Sequence, residues 1–214
     1  MTSAAFDHVR YWVFDLDNTL YPPSARLFEQ MHGKMRDYVA ALLGVSDAEA
    51  DAIRKRYWLE NGTTLAGLIH HHAIDPWQFL RAVHDIDLSG LEPDTDLAAQ
   101  IRALPGRRIV YTNGDAEYAG RVLAARGLEA VFDAVYGIEH ADWAPKPNRD
   151  AFDRVFAADA LDPEQAAMFE DEPRNLVVPH ALGMRTIHVA PAAAEGSHIH
   201  HHTSDLAGFL AAIP

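Results

Sequence analysis

The chain has 214 residues and no cysteine, and 31 acidic residues against 18 basic ones leave a formal charge of −13. The missing thiol excludes cysteine nucleophiles, Cys-ligated zinc, iron–sulfur clusters and disulfide staples, and a chain of this size buries a full core without them. The negative charge, with no local run of Lys or Arg, speaks against nucleic-acid polymers and anionic membranes as partners.

Met1 to Arg10 lacks the basic-then-apolar order of a secretory leader. No stretch reaches membrane-spanning length, so the expected location is the cytoplasm. In chain order, Tyr11-Trp12-Val13-Phe14 is a short β-prone run that stops abruptly at Asp15-Leu16-Asp17-Asn18-Thr19. A strand running into an acidic loop is how α/β proteins place ligands at the carboxyl ends of strands. Pro22-Pro23 then breaks the chain. From residue 25 to about 90 the pattern is helical. Leu27, Phe28, Met31, Met35, Tyr38, Val39, Leu42 and Leu43 recur at three- and four-residue spacing, and Gly44 closes that helix. Ser46-Asp47-Ala48-Glu49 reads as a capping box. A shorter helix is expected over Leu65 to His71, and Asp75-Pro76 opens another as an N-cap with proline at the first helical position.

After Pro93 the pattern alternates. A helix over 94–104 leads to the strand Arg108-Ile109-Val110-Tyr111 and then to Thr112-Asn113-Gly114. A helix over 116–126 stops at Gly127, Phe132 to Tyr136 reads as a strand, and 148–158 is helical. Ala166 to Phe169 is a strand ending in Glu170-Asp171-Glu172. A helix over 173–182 ends at Gly183, Arg185 to Val189 is a further strand, and Leu206 to Ala212 is a last helix. Strand–helix alternation implies parallel pairing with right-handed crossovers. The expected class is α/β: a Rossmann-like parallel sheet sandwiched by helices, built from residues 1–20 and 92–214, with an all-helical cap domain, residues 21–91, inserted after the first strand.

Three strand ends carry the chemistry: Asp15 with Asp17, Thr112 with Asn113, and Glu170 with Asp171. In a parallel sheet they converge on one edge. Residues two apart on a strand share a face, so Asp15 and Asp17 are expected to look into one cleft with Asp171 opposite. Clustered carboxylates repel unless something positive lies between them, and a hard divalent cation with oxygen ligands, Mg²⁺ by preference, meets that need. A metal among acids, with a hydroxyl and backbone N–H groups nearby, suits phosphate.

Asp15-Leu16-Asp17-Asn18-Thr19-Leu20 resembles the DxDxT motif of the haloacid dehalogenase-like hydrolase superfamily. Thr112-Asn113-Gly114 resembles its second motif, Lys146 in Pro145-Lys146-Pro147 its lysine motif, and Phe169-Glu170-Asp171 with Asn175-Leu176 its acidic fourth motif. The resemblance implies Asp15 as nucleophile, forming an aspartyl-phosphate. It implies Asp17 as general acid and then base, its backbone carbonyl on the metal. Asp171 becomes a metal ligand, with Glu170 a ligand or a partner just behind the metal. Thr112, Asn113 and Gly114 fall to the phosphate, Lys146 to balancing Asp15 and the phosphoryl group, and Asn175 stands behind the metal at most. Members that cleave carbon–halogen bonds lack the second aspartate, because halide leaves without a proton; Asp17 therefore favours phosphoryl chemistry.

A narrower resemblance, to the pyrimidine 5'-nucleotidase branch, rests on Asp15 to Pro22, on Tyr57-Trp58 and on Asn61-Gly62-Thr63-Thr64-Leu65-Ala66-Gly67-Leu68. It implies cap contacts to substrate from Tyr57, Asn61, Thr63 and Thr64, and a small phosphorylated metabolite, a nucleoside monophosphate first, as the partner. Sugar phosphomutases and non-catalytic phosphate-binding proteins on this fold are the alternatives. An aromatic stripe at helical spacing makes Trp58 part of the cap core, and Arg174 reads as a solvated arginine ahead of one that attracts phosphate. The clusters His70-His71-His72 and His198-Ile199-His200-His201-His202 read as solvated surface, the second in a loop.

Overall fold

The computed structural model describes residues 5–213. Among them, six strands form one all-parallel sheet: β1 (Tyr11–Phe14), β2 (Arg107–Tyr111), β3 (Ala134–Tyr136), β4 (Ala166–Glu170), β5 (Arg185–Val189) and β6 (His201–Thr203), in the order β3-β2-β1-β4-β5-β6. The side-chain period of two divides the core. Trp12, Phe14, Val110, Phe169 and Ile187 face one layer, and Val13, Ile109, Tyr111 and Met168 the other. Phe14 and Phe169 stack across neighbouring strands with ring centres 4.6 Å apart. Both faces are covered by helices, as a fully buried β4 requires.

The helices between β1 and β2 are α1 (Leu27–Leu43), α2 (Asp47–Asn61), α3 (Thr64–His72), α4 (Pro76–Val83) and α5 (Thr95–Ala103). The expected punctuation is present. Gly44 ends α1 in the left-handed conformation, Ser46 and Glu49 close a reciprocal capping box on α2, and Asp75 caps α4 ahead of Pro76. The first four pack on one another as an inserted helical block. The remaining helices are α6 (Ala116–Ala125), α7 (Arg149–Ala158), α8 (Val177–Ala181) and α9 (Leu206–Ala211). Among the described residues no helix is long and apolar enough to cross a membrane.

Two local expectations change. The helix expected over 173–182 is a 3₁₀ turn, Pro173–Leu176, followed by the short α8. Pro173 opens the turn at its first position, where proline fits, but Pro179 has no N–H to bond the Asn175 carbonyl, so the segment restarts rather than running through. The second histidine cluster contains β6, whose His201, His202 and Thr203 pair with Ile187, His188 and Val189. A three-residue edge strand of half-exposed polar side chains has no alternation long enough to read.

Candidate active site

β1 pairs with both β2 and β4, so Phe14 lies opposite Val110 and Phe169, and the residues after these strands emerge together. The Asp15 N–H continues the ladder, donating to the Phe169 carbonyl at 2.9 Å. β1 ends at Phe14, so Asp15 and Asp17 do not share a strand face. Beyond Phe14 the chain turns, the Leu20 N–H reaching back to the Leu16 carbonyl at 2.9 Å. That turn, rather than strand alternation, brings both aspartates to the lining of one cavity of about 820 Å³. Thr112, Asn113, Gly114, Lys146 and Asp171 line it too.

Lys146 is 1% exposed. Its ammonium donates to Asp15 Oδ1 at 2.7 Å, to Glu170 Oε2 at 2.6 Å and to the Tyr111 carbonyl at 3.0 Å, which uses all three of its N–H donors. Burial alone favours the neutral amine, yet Asp15 and Glu170 hold its pKa above the ordinary lysine value. The Asn113 side chain fixes the lysine's backbone from both sides: its Oδ1 accepts from the Lys146 N–H at 2.8 Å, and its Nδ2 donates to the Lys146 carbonyl at 3.3 Å. Thr112 Oγ1 accepts from the Gly114 N–H at 3.0 Å. Gly114 itself leaves space, since a Cβ there would stand 3.1 Å from the Tyr118 ring.

Asp15, Glu170 and Asp171 each bring one carboxylate oxygen within 4.8 Å of the others. Burial, then the Glu170 charge, push Asp15 up to about 8; burial, then Glu170 and Asp15, push Asp171 up to about 9. Lys146 pairs with two of these carboxylates, Asp15 and Glu170, and Asp171 has no basic partner among the described residues. An all-oxygen donor set short of positive charge fits a hard divalent ion such as Mg²⁺. Glu170 is engaged by Lys146 and lies behind the cavity lining, which leaves Asp15 and Asp171 as the pair open to a cation. Asn175 Oδ1, buried with no hydrogen-bond partner among the described residues, belongs to a residue that lines the same cavity.

Two residues that the motifs did not single out hold Asp171. Asn18 adopts a left-handed backbone (φ 57°), a conformation asparagine tolerates better than most residues, and donates from Nδ2 to Asp171 Oδ2 at 3.1 Å. His188 Nε2 donates to the Asp171 carbonyl at 3.0 Å. Asp17 lines the same cavity but is not one of those three carboxylates. Its Oδ1 accepts from Tyr21 Oη at 2.6 Å and from Tyr118 Oη at 2.9 Å. Burial raises its pKa while the two phenolic bonds pull the other way, and the net shift is upward.

From the inserted block, Thr63 and Thr64 line the cavity, whereas Tyr57 and Asn61 do not. Both threonine hydroxyls have local work: Thr63 caps α3 by accepting from the Ala66 N–H, and Thr64 donates to the Arg54 carbonyl at 3.3 Å. Tyr57 is 3% exposed, with its hydroxyl 2.7 Å from His72 Nε2 and its ring stacked on His71. It is a packing residue of the block. Trp58 corrects the opposite way: it is 40% exposed and lines the cavity. The Arg174 guanidinium lies over its ring at 4.0 Å and donates to the Gly62 carbonyl at 3.0 Å. Helical spacing selects a stripe of α2 but not which end of that stripe meets the sheet domain, so Tyr57 and Trp58 exchange their expected roles.

A parallel sheet with helices inserted after its first strand, and a carboxylate cluster beside a buried lysine at the carboxyl ends of β1 and β4, place a candidate active site on an α/β fold. The chain belongs to the haloacid dehalogenase-like hydrolases, whose family model matches residues 9–183. It is 26% identical over 136 residues to phosphate metabolism protein 8 of Saccharomyces cerevisiae. That match takes in 59% of this chain and 42% of the yeast protein, so the chain spans less than half the length of this curated relative. Its fold is similar to that of CbbY from Rhodobacter sphaeroides in complex with phosphate (TM-score 0.66, 18% identity, 93% of this chain and 95% of that one). It is also similar to L-2-haloacid dehalogenase from Xanthobacter autotrophicus (TM-score 0.53, 18% identity, 86% and 79%). At these identities the likeness is one of fold.

Proposed function

We propose that this hydrolase is a Mg²⁺-dependent phosphatase that moves the phosphoryl group of a small phosphomonoester first to Asp15 and then to water. The observation that carries the reading is Asp17, a second carboxylate on the same cavity as Asp15, fixed through one oxygen and, among the described residues, without a hydrogen bond at the other. A carbon–halogen cleavage has no use for it; an alkoxide leaving group does. Asp15 attacks phosphorus while the proton on Asp17 passes to the leaving oxygen. Asp17, now a carboxylate, takes a proton from the water that cleaves the aspartyl-phosphate. Thr112 through its hydroxyl and Asn113 through its backbone N–H face the phosphoryl oxygens, and Lys146 keeps Asp15 oriented and charged. Gly114 contributes room rather than a donor. Asp15 and Asp171 would hold Mg²⁺, with the Asp17 carbonyl as a further ligand, and the bound ion supplies positive charge for the phosphoryl oxygens.

The inserted block gives the cavity an apolar wall of Phe28, Met35 and Phe79 beside the exposed Trp58. That wall suits a flat base, so a pyrimidine nucleoside 5'-monophosphate is the first candidate substrate and the block acts as a cap. The test is phosphate release with Mg²⁺ from UMP, CMP, dTMP, AMP, sugar phosphates and phosphoglycolate, with Asp15→Asn in parallel. The expected result is release by the native chain and a loss of roughly a thousandfold or more in the variant at unchanged circular dichroism. Isomer formation without net phosphate release would assign a mutase instead. Absence of both across the panel would leave a binding role.

A further inference from the structure

Asp17 is anchored at one oxygen only. Two phenols donate to its Oδ1, Tyr21 at 2.6 Å and Tyr118 at 2.9 Å, and among the described residues no hydrogen bond reaches Oδ2. Both tyrosines are 1% exposed. Tyr21 sits just past the turn that carries Asp17, and Tyr118 lies in the first turn of α6. Tyr118 is itself held by Asp115, once directly and once through His84. Asp115 Oδ1 accepts from the Tyr118 N–H at 2.7 Å as the N-cap of α6. Asp115 Oδ2 lies 2.6 Å from Nδ1 of His84, whose ring stacks on Tyr118 with centres 4.1 Å apart. His84 closes α4, so the last helix of the inserted block rests against the phenol that holds Asp17.

We infer that Tyr21 and Tyr118 are positioning residues for proton transfer by Asp17, an inference that rests on the phosphatase reading above. Two strong donors on Oδ1 stop the carboxyl group from rotating, so Oδ2 alone meets the reacting oxygens. In the first step the Asp15–phosphorus bond forms and the phosphorus–oxygen ester bond breaks. The proton leaves Asp17 Oδ2 for the ester oxygen, and the alcohol departs. In the second step water attacks phosphorus, its proton goes to Asp17 Oδ2, and the bond to Asp15 breaks to release phosphate. The phenols also stabilise the carboxylate that exists between the two steps.

The experiment compares Tyr21→Phe and Tyr118→Phe on two esters, an alkyl phosphate and p-nitrophenyl phosphate. Nitrophenolate leaves without a proton, and kcat/KM reports only steps through the first phosphoryl transfer. Each variant should lose roughly tenfold or more in kcat/KM on the alkyl ester and little on the aryl ester. In an Asp17→Asn background the same substitutions should have no effect on either. Equal losses on both esters, or no loss, would overturn the positioning role while leaving the phosphatase intact. Failure of the native chain to hydrolyse either ester would overturn both. If a Phe variant does not fold, site-specific difluorotyrosine at position 118 keeps the shape and alters donor strength. The alkyl-to-aryl ratio must then shift, and an unchanged ratio overturns the role.

Discussion

The Arg174 guanidinium lies 4.0 Å from the centre of the Trp58 ring, joining the turn after β4 to helix α2 of the inserted block. A second tie runs alongside it, from Arg174 to the Gly62 carbonyl at 3.0 Å. Both residues line the cavity, Trp58 from the inserted block and Arg174 from the turn after β4. A cation–π contact at a half-exposed site contributes about 0.5–1 kcal/mol. Trp58→Ala is therefore expected to raise KM roughly twofold to fivefold at nearly constant kcat. Arg174→Ala should act in the same direction, and the double variant should add little to either single one. Steady-state kinetics on the best substrate checks this; a fall in kcat at constant KM would count against it.

Lys146 is the only basic group within hydrogen-bond reach of Asp15 and Glu170 among the described residues. Lys146→Met keeps the volume and removes the charge, leaving two buried carboxylates without a counter-ion. Breaking a buried pair in this way costs about 3–5 kcal/mol. Denaturant titration at neutral pH should show that loss, with activity gone. Lowering the pH should recover part of the stability, because the stranded carboxylates then take up protons.

The raised Asp15 and Asp171 set a pH dependence of defined sign in metal-free protein. Their folded-state values of about 8 and about 9 exceed the unfolded value of 3.8. The folded chain therefore binds more protons than the unfolded one between those limits, and these two groups make stability fall as pH rises from about 4 to about 9. A bound divalent cation removes the penalty by supplying the missing charge and adds binding free energy of its own. The Mg²⁺-induced rise in melting temperature should be larger at pH 9 than at pH 6. A shift independent of pH would disprove the assignment of these carboxylates to the ion.

Gly67 in α3 packs directly against Tyr57, and a Cβ built there would stand 2.4 Å from the Tyr57 Cβ and Cγ. Neither partner is a flexible tip that can move aside. Gly67→Ala gains helix propensity but overpacks the block, and overpacking costs typically about 1–3 kcal/mol. Thermal denaturation should report a lower midpoint. A stabilised variant would show that the two helices slide apart at little cost.

Much of this molecule is written locally. Tyr11–Phe14 and Arg185–Val189 match their expected bounds, and Ser46, Asp75 and Gly44 begin or end helices where their chemistry directs. Those signals survive because a capping side chain or a β-prone run acts over a few residues. Short, largely polar β6 falls below that threshold, and the proline at 179 breaks a helix that periodicity alone joins.

By itself the sequence determined the class: an alternating strand and helix pattern, and four motifs in order at strand ends and loops. Which oxygens and donors meet was decided only by the tertiary structure. The Asp15–Lys146 pair, 131 positions apart, is implied only through the family motifs, and the Tyr118–Asp17 pair, 101 apart, by no motif at all. No local rule carries such a pairing, because it depends on the register of neighbouring strands and on how the inserted helices lean. The same applies to Tyr57 and Trp58: one turn of a single helix holds both, and only its docking sends one into the packing and the other to the cavity.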